Sequence, residues 1–270
     1  MNIQKLRLGL IGKDVSKSTS PQIHTFVLRQ FGVDCEYEKI STPPADLDMV
    51  VHRLLGDFDG FNVTIPYKRD VFEYLDEIVD DAFACGAVNT VACATRIGYN
   101  TDGKGFVLML ETSGIAVQGK RVLVLGAGGS GRSVAVAMKE CGAKVYMHRR
   151  NRAELEEVCL QLGVEPAREV ELGGYDILIN CTGVGMHDTE GVSPVGIGAF
   201  AGAKWAVDLI YTPPVSEFLR LAATQGVQTL NGAAMLFYQA YYADCIYLNR
   251  TPSASEAKRF YEQFIQTKEE

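Results

Sequence analysis

The segment Val122-Leu-Val-Leu-Gly126-Ala127-Gly128-Gly129-Ser130-Gly131 constrains this chain more than any other. An apolar, β-favouring run leads directly into Gly-x-Gly-x-x-Gly, and a helix-forming stretch follows over residues 131–141. Each glycine has a separate reason to be there. Gly126 permits the tight turn, Gly128 lets the backbone approach a pyrophosphate, and Gly131 lets the helix lie close on the strand, while the helix N-terminus attracts the anion. Three glycines alone mark a turn in an α/β fold; between a strand and a helix they predict a dinucleotide site.

Around this segment, short β-rich runs alternate with longer helical ones. Residues 6–11, 36–40 and 60–65 read as strands, with helices over 21–31, 46–55 and 70–75. Residues 87–93 and 97–100 read as a strand pair with a turn between them, and 104–112 as a helix that carries the chain elsewhere. A second series has strands at 121–125, 144–148, 176–180, 205–209 and 228–230, with helices at 131–141, 153–162 and 216–224. Such alternation predicts βαβ units and mostly parallel sheets. The 270-residue length corresponds to about 1.8 average domains. The expected fold class is α/β with two domains: an N-terminal α/β domain with a mostly parallel sheet, and a Rossmann-type dinucleotide-binding domain. The boundaries read as 1–103 completed by helices in 233–270, and 104–232. The stretch 234–248 is apolar on more than one face, which suggests a helix sandwiched between two bodies.

Composition removes several function classes. Lys and Arg number 26 against 33 Asp and Glu, a net charge of −7, which argues against a nucleic-acid partner because phosphates need cations. The seven cysteines, at 35, 85, 93, 141, 159, 181 and 245, form no Cys-x-x-Cys pair. Reduced, mostly buried thiols in a cytoplasmic protein are expected rather than a disulfide framework or a zinc site. His24, His52, His148 and His187 form no His-Glu-x-x-His set, so no catalytic metal is expected. No signal peptide is visible at the N-terminus, and the apolar stretch 233–243 is too short to span a bilayer.

The end of the strand after the glycine turn selects the cofactor. An NAD site usually places an acid there for the ribose 2′-hydroxyl. This chain places His148, Arg149, Arg150 and Arg152 there, with no acid until Glu154. Guanidinium groups suit a 2′-phosphate, so NADP is expected. The alternative, a solvated charge cluster, is weakened because cations are unfavourable at a helix N-terminus.

Three further segments carry candidate chemistry. In Asn62-Val-Thr64-Ile-Pro66-Tyr-Lys68, alternation puts Val63 and Ile65 on one face and Thr64 on the other, and Lys68 follows at the strand's carboxyl end. Ligands of open α/β sheets bind at that edge, and a lysine there can handle a proton. On this segment alone a solvent-facing lysine is the simpler reading. Asn100-Thr101-Asp102-Gly103-Lys-Gly105 precedes a helix, where Asp102 suits an N-cap and the glycines suit close approach of a ligand. Lys68 and Asp102 at two strand ends of one sheet could meet as an acid–base pair. In Ser16-Lys-Ser18-Thr-Ser20-Pro21, Ser20 suits an N-cap and the extra hydroxyls suit a carboxylate or polyhydroxy ligand.

Taken in order, these segments resemble the shikimate dehydrogenase family over nearly the whole chain. Ser18-Thr-Ser20-Pro21 resembles its Ser-x-Ser-Pro, and Asn62 to Lys68 its Asn-Val-Thr-x-Pro-x-Lys. Gly86-Ala-Val-Asn89-Thr90, Asn100-Thr101-Asp102-Gly103, Gly126-Ala127-Gly128-Gly129, Asn180-Cys-Thr182, Asp208-Leu-Ile-Tyr211-Thr-Pro213 and Gly232-Ala-Ala-Met235-Leu-Phe-Tyr-Gln239 follow in the family's order.

The resemblance implies reversible, NADP-dependent reduction of 3-dehydroshikimate to shikimate on the way to chorismate and the aromatic amino acids. It implies that Ser18 and Ser20, helped by Tyr211, bind the substrate carboxylate. Thr64, Asn89, Asp102 and Gln239 would hold ring hydroxyls, with Thr101 nearby, and Lys68 paired with Asp102 would manage the proton. Gly126, Ala127, Gly128, Gly129, Ser130, Gly131, Arg149, Arg150, Thr182, Gly232 and Met235 would line the NADP site. The chain departs from the family pattern at Lys17, where His is common, at Arg149-Arg150-Asn151, where Asn-Arg-Thr is common, and at Ala233, where Leu is usual. A small-molecule substrate and a monomer or homodimer are expected, with no membrane partner. The alternatives are a relative acting on quinate or aminoshikimate, or a non-catalytic sensor of pathway ligands; retention of both Lys68 and Asp102 argues against the sensor.

Overall fold

The computed structural model describes residues 5–269. The chain divides into two compact units, one running to Leu108 and resuming at Phe237, the other spanning Met109–Leu236.

In the first unit the elements are β1 (Lys5–Gly12), α1 (Ser20–Gln30), β2 (Asp34–Ser41), α2 (Leu47–Asp57), β3 (Gly60–Val63), β4 (Glu77–Ile78), α3 (Asp80–Cys85), β5 (Thr90–Ala92), β6 (Ile97–Tyr99) and the start of α4 (Asp102–Thr112). Their sheet has the order β2-β1-β3-β5-β6-β4. β1 pairs in parallel with β2 and β3, whereas β5 is antiparallel to both β3 and β6. Leu8 and Ile11 of β1 are fully buried, and α2 lays Leu47, Val50, Val51 and Leu54 into the core. That i, i+3, i+4, i+7 spacing makes one apolar stripe, and each fully buried aliphatic side chain contributes about 1.5–3 kcal/mol.

Three expectations change here. β3 stops at Val63, not residue 65, because Pro66 has no N–H to continue a ladder. Ile65 is therefore 71% exposed instead of sharing the buried face of Val63. Residues 70–75 form a 3₁₀ turn over Asp70–Tyr74 rather than a longer helix, and the strand expected from residue 87 begins only at Thr90.

The second unit contains β7 (Arg121–Leu125), α5 (Gly129–Glu140), β8 (Lys144–His148), α6 (Arg152–Leu162), β9 (Glu165–Pro166), β10 (Ile177–Asn180), β11 (Trp205–Asp208), α7 (Glu217–Thr224) and β12 (Gln228–Asn231). Every strand pair is parallel, in the order β12-β11-β10-β7-β8-β9. The strand order reverses about β7, the position at which doubly wound sheets hold ligands. The register aligns Leu125 with His148 and Asn180, Asn180 with Asp208, and Asp208 with Asn231. One carboxyl edge therefore presents Gly126, Arg149, Cys181, Leu209 and Gly232 as the next residues of five strands.

The chain returns to the first unit through α8 (Ala233–Tyr247) and ends in α9 (Ala254–Glu269). The apolar surface of α8 from Phe237 onward is covered within that unit. Phe237 meets Phe26 of α1 and Phe264 of α9, and Tyr241 meets Phe31 and Phe260. α9, one of the helices expected in 233–270 but given no bounds there, buries Ala257, Phe260 and Phe264 on one face.

Candidate active site

In the first unit, topology draws together side chains that are far apart in sequence. β3 and β6 run the same way, and β5 runs back between them, so Asn62 pairs with Thr90 and Thr90 with Tyr99. The end of β3, the start of β5 and the end of β6 therefore share one edge, where Lys68, Asn89 and Asp102 meet.

Lys68 lies in the turn after β3. Its carbonyl accepts the Val88 N–H at 2.7 Å, and the adjacent, buried Tyr67 donates its hydroxyl to the Thr42 carbonyl. Its Nζ is 2.5 Å from Asp102 Oδ2, with both side chains about nine-tenths buried. A pair this dry is costly to assemble and strongly destabilising to break on one side, so its geometry is tightly held. Asp102 is the first residue of α4 rather than its cap. Thr101 precedes the helix and its carbonyl accepts the Gly105 N–H at 2.9 Å, while Asp102 donates its own N–H to Asn100 Oδ1. A carboxylate in the first helical turn faces the positive end of the helix dipole.

Asn89 completes this cluster. Its Nδ2 donates to Asp102 Oδ1 at 2.7 Å and to Thr101 Oγ1 at 3.0 Å. Its Oδ1 accepts from Thr90 Oγ1 and from the Thr101 N–H. The protein thus engages both ends of the amide, which makes Asn89 a holder of Asp102 as well as a candidate substrate contact. Thr64 is half-buried beyond β3, and its hydroxyl has no protein partner among the described residues.

Ser20 does not cap α1, which begins at Ser20 itself with Pro21 next and no side-chain cap. Instead Ser18 Oγ donates to Ser20 Oγ at 3.0 Å and accepts the Ser20 N–H. Gly105 makes a close approach, but to protein rather than to a ligand. A Cβ there would lie 2.7 Å from the Gln239 backbone nitrogen, so glycine lets α4 and α8 touch and sets the position of Gln239.

The second unit carries the glycine turn. Gly126 has φ +100°, a left-handed conformation that glycine tolerates. A Cβ on Gly131 would lie 2.2 Å from the Gly126 carbonyl oxygen, whereas one on Gly128 would meet nothing within 4 Å. Gly131 therefore serves helix–strand packing, and Gly128 leaves open space at an α5 N-terminus that no side chain caps. Ala127 lies in the turn, and Ser130 in the first helical turn. This cradle fits a pyrophosphate.

At the end of β8, Arg149 pairs with Glu154 at 2.5 Å, and Glu154 also accepts from Asn151. Arg150 is exposed and has no protein partner among the described residues, which leaves its guanidinium available to a phosphate. Arg149, Arg152, Arg168 and His148 line a cavity of about 180 Å³ beside it. After β10, Thr182 Oγ1 donates to Asn180 Oδ1, and Asn180 Nδ2 donates to Asp208 Oδ1 at 3.0 Å. Ser216 donates to the other Asp208 oxygen, and burial raises the Asp208 carboxyl above its usual range. Asn180, Asp208 and Ser216 thus shape the loops carrying Thr182 and Tyr211. Sequence reading gave them no role, although buried polar residues at the ends of apolar strands are a usable signal. Tyr211 is half-buried, without a hydrogen-bond partner among the described residues. Gly232 brings its backbone onto Leu209, where a Cβ would lie 2.2 Å from the carbonyl oxygen, and Met235 is buried in the first turn of α8.

A mixed α/β unit with a buried Lys–Asp pair, followed by a doubly wound unit with a phosphate cradle, defines a nucleotide-dependent oxidoreductase architecture. Residues 10–91 match the model of the shikimate dehydrogenase substrate binding domain. The NADP(+)-dependent shikimate dehydrogenase of Caldicellulosiruptor saccharolyticus is 37% identical over 260 residues, covering 90% of this chain and 92% of its own. The shikimate 5-dehydrogenase of Thermus thermophilus, solved in complex with NADP(H) and shikimate, superposes with a TM-score of 0.87 at 32% identity, covering 96% of this chain and 99% of its own. The 5-ketofructose reductase of Gluconobacter sp. strain CHM43 superposes with a TM-score of 0.81 at 29% identity, covering 97% of this chain and 99% of its own. The chain belongs to the shikimate dehydrogenase family.

Proposed function

We infer that this protein is an NADP-dependent shikimate dehydrogenase that interconverts 3-dehydroshikimate and shikimate. The observation that carries the reading is the buried contact between Lys68 Nζ and Asp102 Oδ2, with the Asn89 amide on the other carboxylate oxygen.

In the reduction direction, the ketone oxygen of the substrate gains negative charge as its carbon gains hydrogen. A positioned ammonium stabilises that charge and supplies the proton. Lys68 Nζ takes this role, and Asp102 Oδ2 holds the ammonium in place. In the reverse direction Lys68 accepts the proton from the substrate hydroxyl. Ser18 and Ser20 supply neutral donors for the substrate carboxylate, with Tyr211 as a further hydroxyl. Thr64, Thr101, Asn89 and Gln239 supply donors and acceptors for the ring hydroxyls. NADPH, when bound, supplies the hydride. Gly126, Ala127, Gly128, Gly129, Ser130 and Gly131 would hold its pyrophosphate. Arg150, with Arg149, would hold its 2′-phosphate, and Thr182, Gly232 and Met235 would face its nicotinamide half.

A ketofructose reductase shares the fold, so the fold alone does not choose the ring. The serine pair suits a carboxylate as well as hydroxyls, and the 37% identity to an NADP(+)-dependent shikimate dehydrogenase favours the carboxylated ring. The test is a spectrophotometric assay of reduced nicotinamide with shikimate or quinate, each with NADP or NAD. Turnover of shikimate with NADP is expected; no turnover in any of the four mixtures removes the enzyme assignment. Cytoplasmic location and a monomeric or homodimeric state belong to this proposal. Seven free thiols support a reducing compartment, and among the described residues no helix is long and apolar enough to cross a membrane.

A further inference from the structure

Two side chains outside the candidate site, Tyr37 and Thr90, reach its acid–base pair through a chain of hydrogen bonds whose direction is forced. The Thr101 backbone N–H donates to Asn89 Oδ1 at 2.9 Å. A backbone N–H cannot accept, so the other end of that amide, Nδ2, must face Asp102. Asn62 Nδ2 donates to the Asn89 backbone carbonyl at 3.2 Å. A carbonyl cannot donate, so Asn62 is also fixed, with Nδ2 toward Thr90 Oγ1 at 3.1 Å and Oδ1 toward Tyr37.

Every hydroxyl between these anchors then has one permitted orientation. Thr90 accepts from Asn62 and so donates to Asn89 Oδ1 at 3.0 Å. Tyr37 must donate to Asn62 Oδ1, at 2.8 Å. The series runs one way from Tyr37 through Asn62, Thr90 and Asn89 to Asp102 Oδ1. The remaining carboxylate oxygen, Oδ2, is left to Lys68. Asn62 and Thr90 are 6% and 0% exposed, so water does not substitute for these links.

We propose that Tyr37, Asn62 and Thr90 are positioning residues for the acid–base pair, which act by fixing the Asn89 amide. The inference rests on the dehydrogenase reading above. Thr90 has the central place, because its hydroxyl is the link between the two fixed amides and removing it changes no charge and little volume.

The experiment compares wild type, Thr90→Val, Thr90→Ser and Tyr37→Phe in shikimate oxidation with NADP, with thermal unfolding and NADPH binding measured in parallel. Thr90→Val is expected to lower kcat about tenfold or more, with a smaller rise in KM for shikimate because Asn89 also serves the ring hydroxyls, while Kd for NADPH stays within about threefold. Thr90→Ser, which keeps the hydroxyl, is expected to stay within about threefold of wild type in kcat. Tyr37→Phe keeps the ring and removes the donor to Asn62, and should lower kcat in the same direction by a smaller factor. If Thr90→Val does not fold, the Tyr37→Phe and Thr90→Ser pair carries the same comparison. Wild-type kcat in both Thr90→Val and Tyr37→Phe, with lower thermal stability as the sole effect, overturns the proposal. An equal loss in Thr90→Ser and Thr90→Val also overturns it, since packing rather than the hydroxyl would then matter. An inactive wild type instead overturns the dehydrogenase reading itself.

Discussion

Lys68 Nζ and Asp102 Oδ2 stand 2.5 Å apart in a nearly dry setting, although 34 residues separate them in the chain. β3 delivers the lysine and β6 the aspartate, and antiparallel β5 sets the spacing between them. The contact supplies an ammonium held at one position, with the second carboxylate oxygen occupied by Asn89. If Lys68 manages the proton, Lys68→Ala lowers turnover about 10²-fold or more while NADPH binding, followed by fluorescence titration, stays nearly unchanged. Unchanged turnover in a folded Lys68→Ala variant would remove the lysine from this role.

Cofactor choice turns on the end of β8. Arg149 is already paired with Glu154, whereas the exposed Arg150 has no protein partner among the described residues. Hydrogen bonds to a charged group are worth about 1.5–3 kcal/mol, so Arg150→Ala should weaken NADP by about tenfold to a hundredfold. NAD, lacking the 2′-phosphate, should be little affected. Parallel losses for the two cofactors in a binding titration would remove Arg150 from this role.

The close passage of α4 against α8 rests on Gly105. Gly105→Ala places a methyl 2.7 Å from the Gln239 nitrogen and 2.9 Å from its Cβ, so the helices must separate. Overpacking of this kind costs about 1–3 kcal/mol. The variant should have a lower unfolding free energy in urea, and its KM for shikimate should rise as Gln239 moves. Unchanged values for both would mean that the helices yield without disturbing the site.

A buried pair away from the candidate site gives the first unit a pH signature. His24 Nδ1 lies 2.6 Å from Asp244 Oδ1, and both side chains are almost inaccessible to water. Burial pushes the Asp244 carboxyl up to about 6, against the attraction of His24. A carboxyl whose folded value is raised stabilises the fold most fully below its unfolded value near 3.8, and that stabilisation fades as pH rises toward 6. The unfolding free energy of wild type relative to Asp244→Asn should therefore increase as pH falls from 7 to 4, by at most about 3 kcal/mol. A difference independent of pH would show that Asp244 does not titrate in this window.

Much of this protein is legible one residue at a time. Gly126, Gly128 and Gly131 announce a phosphate cradle because each answers a local steric demand, and the turn geometry agrees at Gly126 and Gly131. Other local readings fail where neighbours outweigh propensity. Ser20 suits a helix cap by type, yet it caps nothing and its hydroxyl accepts from Ser18. Gly105 suits ligand approach by type, yet it admits another helix.

The alternation of strands and helices, the glycine turn, and the inventory of side chains able to bind anions or carry protons can be read along the chain, since these follow from period, backbone freedom and functional-group chemistry. That Asn89 holds Asp102, that Arg149 is already paired, and that Tyr37 and Thr90 lead through Asn62 to the acid–base pair are visible only once the chain is folded. Those relations depend on strand order and register, which bring together atoms from distant parts of the chain, and on the burial that forces each polar group to find one particular partner.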